Sequence, residues 1–306
     1  MKENKFTFEQ FCQDAKKYAD PINKEGLFKI KDHELFYFLD SQDIVKACAG
    51  PIRGAKQYKI EIYHGLLKEI YNFTIDNYPQ YYRKNKNRLN MSEYAFLRLV
   101  CNIMGEMAFW HEFSHISRNH WVFLNNETQT KSSINKERVV EMDADIYGAS
   151  MLLGRVLSIP EKTLPAGVAI EAFAIGVRGL FEVLYLNFPT PVNHKTAGYP
   201  HSQARGFNAF SFAMTSEIIE KMDDSKKAIL QLIGSLAFID FEDSILGNKF
   251  DQDAVASMVA DDLDKWAMAS KEIKKNSQLS FEARTIGERA STYVRHIDVA
   301  LSKLMG

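Results

Sequence analysis

His111-Glu112-Phe113-Ser114-His115 is the stretch of this 306-residue chain that decides the fold of its centre. In an α-helix, residues four apart lie on one face, so the two imidazoles can bind the same small cation. A pair of imidazole nitrogens favours Zn²⁺. Glu112 follows the first histidine and is placed to act as a general base on zinc-bound water. The motif therefore predicts a metal site, provided that it lies on a helix.

The residues before the motif predict the helix that it needs. Ser92 can cap the N-terminus of this helix with its hydroxyl group. Apolar residues then recur at spacings of three and four: Phe96, Leu99, Val100, Ile103, Met104, Met107, Ala108 and Phe113. This pattern predicts a helix of about seven turns that carries the motif near its end. A second helix is predicted from about residue 136 to residue 156, after a polar connection.

A catalytic zinc ion requires a third protein ligand and an open position for water. The extended pattern HExxHxxGxxH is excluded, because Arg118 and Trp121 stand where it requires glycine and histidine. His120 lies one residue short of the required position. We interpret His120 as a surface or helix-end residue, since nothing at Arg118 predicts a turn that would bring it back.

The predicted second helix offers the other source of a third ligand, in Glu141-Met142-Asp143-Ala144-Asp145. Glu141 and Asp145 share a helix face, so one can reach the metal while the other orients a ligating imidazole. Asp143 points elsewhere and is predicted to be solvated. The alternative for this segment is an acidic face near a helix start, where the helix dipole favours carboxylates.

The combination of His111, Glu112, His115, Glu141 and Asp145 resembles the gluzincin metallopeptidases. The resemblance implies that His111, His115 and Glu141 bind Zn²⁺ and that Asp145 hydrogen-bonds a metal-bound histidine. It also implies that Glu112 is catalytic and that the two helices form a zincin-like active site.

A further resemblance concerns Tyr199-Pro200-His201-Ser202-Gln203-Ala204-Arg205. Some gluzincins carry a His-Pro pair with an arginine five residues after the proline, and Pro200 and Arg205 keep this spacing. Tyr199 stands in place of the family's histidine, while His201 follows the proline. The resemblance implies that Tyr199, His201 and Arg205 are catalytic and stabilise the oxyanion. The alternative is a turn followed by an arginine at a helix start.

The Tyr199-Pro200 pair and the strand–Gly65–helix pattern of residues 58–70 also resemble the Lit family of phage-exclusion peptidases. This resemblance implies one specific intracellular protein target and a role in defence against infection.

The remaining patterns predict a predominantly α-helical α+β fold with a small sheet in the N-terminal third. Residues 58–63 alternate in polarity, which predicts a half-buried strand whose edge could bind an extended peptide. Residues 78–90 and 188–206 are predicted loops, 248–251 a turn, and 280–304 the last helix. Residues 1–158 are predicted to form a lobe with the edge strand and metal-binding helices. Residues 159–306 complete the cleft as a helical lobe, or form a single domain with the first.

Two apolar stretches bear on membrane association. Residues 164–187 are long enough to span a bilayer, but Glu171, Arg178 and Glu182 interrupt them, which favours a buried helix over membrane contact. Residues 228–239 are too short to span a bilayer and are predicted to lie in the core.

Composition narrows the function classes and the compartment. A net charge of −1 gives no reason to expect a nucleic-acid partner. Cys12, Cys48 and Cys101 are scattered, which favours reduced thiols in the cytoplasm over a disulfide framework. The first eleven residues show no signal-peptide pattern. We therefore expect a cytoplasmic protein whose partner is a protein or peptide substrate.

The sequence as a whole favours a zinc-dependent metallopeptidase that hydrolyses an intracellular protein. One alternative is a catalytically silent scaffold or binding protein with a zincin fold. The intact Glu112 argues against this alternative, because a structural zinc site has no need of a base. Another alternative is a zinc hydrolase acting on a non-peptide bond, since the motif specifies the metal chemistry more closely than the bond cleaved.

Overall fold

The computed structural model describes residues 5–25, 29–30, 33–125, 136–188, 202–246 and 252–277. Within these ranges the elements are, in chain order, α1 (Phe8–Glu25), β1 (Lys29–Ile30), β2 (His33–Asp40), β3 (Ala47–Pro51), β4 (Gln57–Tyr63), α2 (His64–Leu89), α3 (Glu93–Ser117), α4 (His120–Asn125), α5 (Lys136–Leu157), α6 (Ala166–Asn187), α7 (Ser202–Met214), α8 (Glu217–Glu220), α9 (Asp224–Phe241), a π-helical turn (Glu242–Leu246) and α10 (Gln252–Asn276). The predicted α+β fold, predominantly α-helical with a small N-terminal sheet, is confirmed.

The sheet has the strand order β1-β2-β4-β3. Strand β4 confirms the strand predicted at residues 58–63, but it is paired on both sides, parallel to β2 and antiparallel to β3. The prediction that this strand offers a free edge is therefore wrong. Strand β3 covers it, with Cys48 opposite Glu61 and Ala49 opposite Ile60. Strand β3 was not predicted, because its small residues, together with Gly50 and Pro51, do not show a strand pattern in the sequence.

Helix α2 runs without a break through residues 78–89, which the sequence predicted as a loop. Tyr78, Tyr81 and Leu89 are buried at helical spacing. The hydroxyl of Tyr78 donates to the carbonyl of Ile175 at 2.7 Å, and that of Tyr81 donates to Glu171 at 2.9 Å. Burial of these rings against neighbouring helices stabilises the helical conformation, although the exposed positions between them are strongly polar.

Helix α3 lies at the centre of the molecule and is buried along most of its length. The predicted cap is confirmed, since the Ser92 hydroxyl accepts a hydrogen bond from the backbone N–H of Ala95 at 3.2 Å. Helices α2, α5 and α6 and strands β3 and β4 pack against it. One cluster of buried apolar side chains includes residues from both sides of position 158, the predicted boundary between lobes.

Helix α6 confirms the buried helix predicted at residues 164–187. Its charged side chains have partners in the core. Arg88 and Tyr81 donate to Glu171 at 2.7 and 2.9 Å, and Arg178 donates to Glu182 at 3.0 Å and also to Glu242. Among the described helices, none is both long enough and apolar enough to cross a membrane.

Four other predictions concern the C-terminal half. The stretch 228–239 was predicted to lie in the core, but only one side of helix α9 does, because its opposite side is exposed. The loop predicted at 188–206 is wrong for residues 202–206, which begin helix α7. The rest of that segment from residue 189, the turn at 248–251 and the helix at 280–304 lie outside the described residues.

Candidate metal centre

Helices α3 and α5 bring the three predicted ligands together. His111 and His115 lie one turn apart on α3, with their Nε2 atoms 3.1 Å from each other. Glu141 reaches them from α5, placing Oε2 at 3.4 Å from Nε2 of His111 and Oε1 at 3.5 Å from Nε2 of His115. One ligand atom from each of the three residues lies within 4.8 Å of the other two.

The spacing of these atoms fits a zinc ion. Ligands that bind Zn²⁺ tetrahedrally at about 2.0–2.1 Å lie about 3.3 Å from one another. The distance of 3.1 Å between the two Nε2 atoms is close to this value, and each of them has one oxygen of Glu141 at a similar distance, Oε2 at 3.4 Å from His111 and Oε1 at 3.5 Å from His115. Two imidazoles and one carboxylate also form the ligand set of catalytic zinc sites, which keep a fourth position open for solvent or substrate. The residues present therefore suit zinc.

Gly148 allows the two helices to approach closely enough for this convergence. A Cβ atom at Gly148 would lie 2.9 Å from the backbone nitrogen of His111 and 3.0 Å from the carbonyl of Trp110. Both neighbours are backbone atoms of α3, so they cannot rotate away as a side chain could. Gly148 follows Glu141 by two helical turns and faces the same helix. We did not identify it from the sequence, although a glycine inside a helix signals close packing.

Asp145 lies behind His111, where the sequence placed it. Its Oδ1 is 2.8 Å from Nδ1 of His111, the nitrogen that faces away from the other ligands. Arg205 on α7 donates to Asp145 at 2.7 and 2.9 Å and to Oε2 of Glu141 at 3.2 Å. Arg205 is therefore in the site, and its contacts there hold two carboxylates. Tyr199 and His201, the other predicted catalytic residues, lie outside the described residues.

His120 lies behind His115. It begins helix α4, as a helix-end residue, but it is buried, so the surface position that we predicted for it is wrong. The backbone reverses after α3 because Asn119 adopts a left-handed conformation with φ of 56°. This turn buries His120 and places its Nδ1 2.9 Å from Nδ1 of His115. The sequence showed no such turn at this point, because asparagine adopts this conformation only in some contexts.

Asp143 was predicted to be solvated, but it is buried. Its Oδ2 lies 3.0 Å from Nε2 of His120 and accepts from Arg118 at 2.7 Å, while Oδ1 accepts from Trp266 of α10 at 2.9 Å. A buried carboxylate requires partners of this kind, and three segments provide them. Asp143, His120 and His115 thus form a hydrogen-bonded chain that ends at the ligand atoms.

This chain can set the tautomer of His115. The ionised carboxylate of Asp143 can only accept, and when His120 donates to it from Nε2 and accepts at Nδ1, His115 donates from its own Nδ1. Its Nε2 is left with a lone pair directed towards His111 and Glu141, as metal binding requires.

Buried carboxylates favour a positive charge among the three predicted ligands. Burial alone lowers the pKa of His111, but the contacts with Asp145 and Glu141 outweigh it and raise that pKa to about 10. Burial alone raises the pKa of Glu141, but the neighbouring histidines hold it well below its usual range. Burial also raises the pKa of Glu112, to about 7. A metal ion bound by the three ligands would be stabilised by the same carboxylates that favour protonation of His111.

The ligands open onto a cleft of about 1010 Å³. Glu112 lines the cleft beside them, and apolar side chains of α6 form part of its wall: Leu180, Phe181 and Leu184. Strand β3 forms another part. The carbonyl of Lys46 accepts from the N–H of Tyr63, and the N–H of Ile52 donates to the carbonyl of Gln57, so these hydrogen bonds join the two ends of β4. Because bonding alternates along an antiparallel pair, the N–H and C=O groups of Ala47 and Ala49 point away from β4.

Comparison of the chain with protein-family models, with curated proteins and with solved structures found no match. The function of the protein is therefore inferred from the chemistry of this site. The inference rests on the three convergent ligands, on Asp145 and His120, which lie behind the two histidines, and on the cleft in front of the ligands.

Proposed function

We propose that this protein is a zinc-dependent metallopeptidase of the gluzincin type, with His111, His115 and Glu141 as zinc ligands. The observation that carries the proposal is the convergence of these side chains from two helices, at separations that suit a tetrahedral ion. The cleft beside them supports a catalytic site over a closed structural one. We further propose that the protein acts in the cytoplasm, where Cys12, Cys48 and Cys101, which form no disulfide, would stay reduced.

The side chains of the site have separate tasks in this mechanism. When bound, zinc would supply Lewis-acid activation of water and of the scissile carbonyl group. Glu112 would accept a proton from the attacking water at its carboxylate and deliver it to the leaving amine nitrogen. Asp145 would hold His111 through Nδ1, and His120 would hold His115 in the same way. Arg205 would fix the positions of Asp145 and Glu141.

Strand β3 would bind the substrate backbone. The outward-facing N–H and C=O groups of Ala47 and Ala49 can pair with an extended peptide, which would add to the sheet as a further strand. Pro51 has no N–H and ends this edge. The apolar wall formed by Leu180, Phe181 and Leu184 would receive a side chain of the substrate. The resemblance to the Lit family adds the expectation that the target is an intracellular protein and that the enzyme acts in defence against phage infection.

The Glu112→Gln variant tests the proposal. It should bind zinc as the wild type does, because Glu112 is not a ligand, and it should lose turnover by about 10²–10⁴-fold. Glu137→Gln is the matched control, since Glu137 is another glutamate that lines the cleft. This control should keep both zinc and activity. Zinc content is measured by elemental analysis, and activity by chelator-sensitive cleavage of an unfolded protein. Undiminished hydrolysis by Glu112→Gln would refute the general-base role.

Substrate trapping separates the peptidase from its alternatives. The Glu112→Gln protein should retain its target, and wild-type enzyme should then cleave the retained protein. A zinc-loaded wild type that cleaves no retained protein would favour the scaffold. Release of a non-peptide group from a trapped partner or a model ester, with the polypeptide left intact, would favour the other zinc hydrolase.

A further inference from the structure

Helix α10 lies beside the metal centre but supplies none of the three ligands. It packs against α4, α5 and α7, the helices that carry His120, Glu141 and Arg205. Its buried side chains join a small apolar cluster with residues of α4 and α5: Phe123, Val139, Val140, Ala269 and Ile273. This cluster is separate from the large core that α2, α3 and α6 share. The attachment of α10 therefore lies around the metal site.

Two polar contacts, fifteen residues apart, hold α10 in place. Asp262 accepts hydrogen bonds from Arg138 of α5 at 2.6 to 3.1 Å, and both side chains are buried. Ser277, immediately after α10, donates from its hydroxyl to the backbone carbonyl of Ser117 at 3.1 Å. Ser117 is the last residue of α3, the helix that carries both histidine ligands. These contacts span about 22 Å of helix and fix the position of the side chains between them.

Trp266 lies between these two contacts and is held in one orientation. Its indole ring packs edge-on against Phe212 of α7, with ring centroids 5.1 Å apart. Its Nε1 donates to Oδ1 of Asp143 at 2.9 Å. An indole N–H can only donate, so it suits an ionised carboxylate. Arg118 donates to both oxygens of Asp143, and the indole N–H adds a donor at Oδ1 that keeps Oδ2 directed towards His120.

The contact of Trp266 continues to a predicted zinc ligand. Oδ2 of Asp143 lies 3.0 Å from Nε2 of His120, whose Nδ1 lies 2.9 Å from Nδ1 of His115. Trp266 itself does not line the cleft. Its influence on a bound metal would therefore pass through Asp143 and His120.

We infer that Trp266 is a positioning residue for His115 and that α10 thereby forms part of the support of the metal site. The inference rests on the proposed zinc ligation by His115, and it is independent of which bond the protein cleaves. Coupling between two sites is reciprocal. Zinc should therefore stabilise the docked α10 by the same factor by which the docked α10 strengthens zinc binding.

The zinc affinity of Trp266→Phe in the full chain tests the inference. This variant keeps an aromatic ring against Phe212 but has no N–H, so competition with a chromophoric chelator should show a loss of about tenfold. Ile273→Val is the control, since it removes one methylene group from the α10 contact without touching Asp143. It should bind zinc as the wild type does. Wild-type affinity in a folded Trp266→Phe protein would overturn the inference alone, whereas a wild type that binds no zinc would refute the proposed ligands as well.

A double variant tests the path through His120. His120→Phe breaks the path, so adding Trp266→Phe to it should cause little further loss of zinc affinity. Effects of independent sites would add instead. Additive losses would overturn the inference, because Trp266 would then support the fold in general and not His115 in particular.

Hydrogen exchange of the wild-type protein tests the reciprocal effect. Saturating zinc should slow amide exchange through local opening of residues 262–276 by about tenfold, the factor expected for zinc affinity. The same amides in Trp266→Phe should respond much less to zinc. Helix α9, which packs mainly against α6, is the internal control, and its locally exchanging amides should not respond. Equal exchange of α10 in the zinc-bound and zinc-free wild type would overturn the inference.

Discussion

Gly148→Ala should weaken zinc binding without a change in any ligand. The added Cβ would lie 2.9 Å from the backbone nitrogen of His111, while ordinary van der Waals contact begins at 3.4 Å. Helices α3 and α5 must therefore separate by about 0.5 Å at this point. Metal–ligand distances tolerate only about 0.2 Å, so Glu141 should no longer fit the ion that the two histidines hold.

The expected loss of zinc affinity for Gly148→Ala is at least about tenfold, the lower end of what disturbed supporting residues cost. The affinity is measured by competition with a chromophoric chelator, alongside the denaturation midpoint of the metal-free protein. Alanine favours the helix by about 0.5–1 kcal/mol, which offsets part of the packing cost.

Gly105→Ala on helix α3 is the matched control for this variant. Its Cβ would meet only the ring of Phe11, at 3.2 Å, away from the ligands. This control should bind zinc as the wild type does. Unchanged zinc affinity in Gly148→Ala would refute the reasoning that the close approach of α3 and α5 determines the geometry of the ligands.

Three other variants test the supports of the site and the fold. His120→Phe keeps an aromatic ring but removes both hydrogen bonds, so zinc affinity should fall about 10–100-fold with little change in the denaturation midpoint; unchanged affinity would dismiss the role of the His120 chain. Arg178→Met leaves Glu182 and Glu242 without their buried partner and should cost about 3–5 kcal/mol in urea denaturation; a loss below about 1 kcal/mol would mean that water reaches these groups. Gly65→Ala would place a Cβ 2.5 Å from the backbone of Ile44, so the melting temperature should drop, and an unchanged value would show that the loop before β3 yields freely.

The parts of the site that the sequence predicted depend on local geometry. His111 and His115 share a face because they are four residues apart on a helix whose cap and apolar spacing are legible. Glu141 and Asp145 follow from the same spacing on α5, together with the need for a third ligand and an orienting carboxylate. The structure brings these four side chains together.

The parts that the sequence did not predict depend on the path of the backbone or on distant partners. His120 reaches His115 only because Asn119 reverses the chain. Asp143 is buried among three partners, and one of them, Trp266, lies more than a hundred residues later in the chain. Neither contact can be predicted from the spacing of nearby residues in the sequence.

The fold shows the same division. The helices α3, α5 and α6 follow from apolar periodicity, and the start of α2 was also predicted as helical. The second half of α2 was missed because large buried tyrosines stand among lysines and arginines at residues 78–89. Strand β3 was missed because its five short or cyclic residues show no alternation of polarity. For α9, apolar residues on all sides predict burial but cannot specify which side the chain itself covers.

Zinc stoichiometry is the measurement that tests the central claim most directly. The claim is that side chains from α3 and α5 together form one metal site. After exhaustive dialysis against metal-free buffer, elemental analysis should find one zinc ion per chain in the wild type and in Glu112→Gln, and far less in Glu141→Ala. Zinc retained by Glu141→Ala as tightly as by the wild type, or no zinc bound by the wild type after reconstitution, would contradict the account.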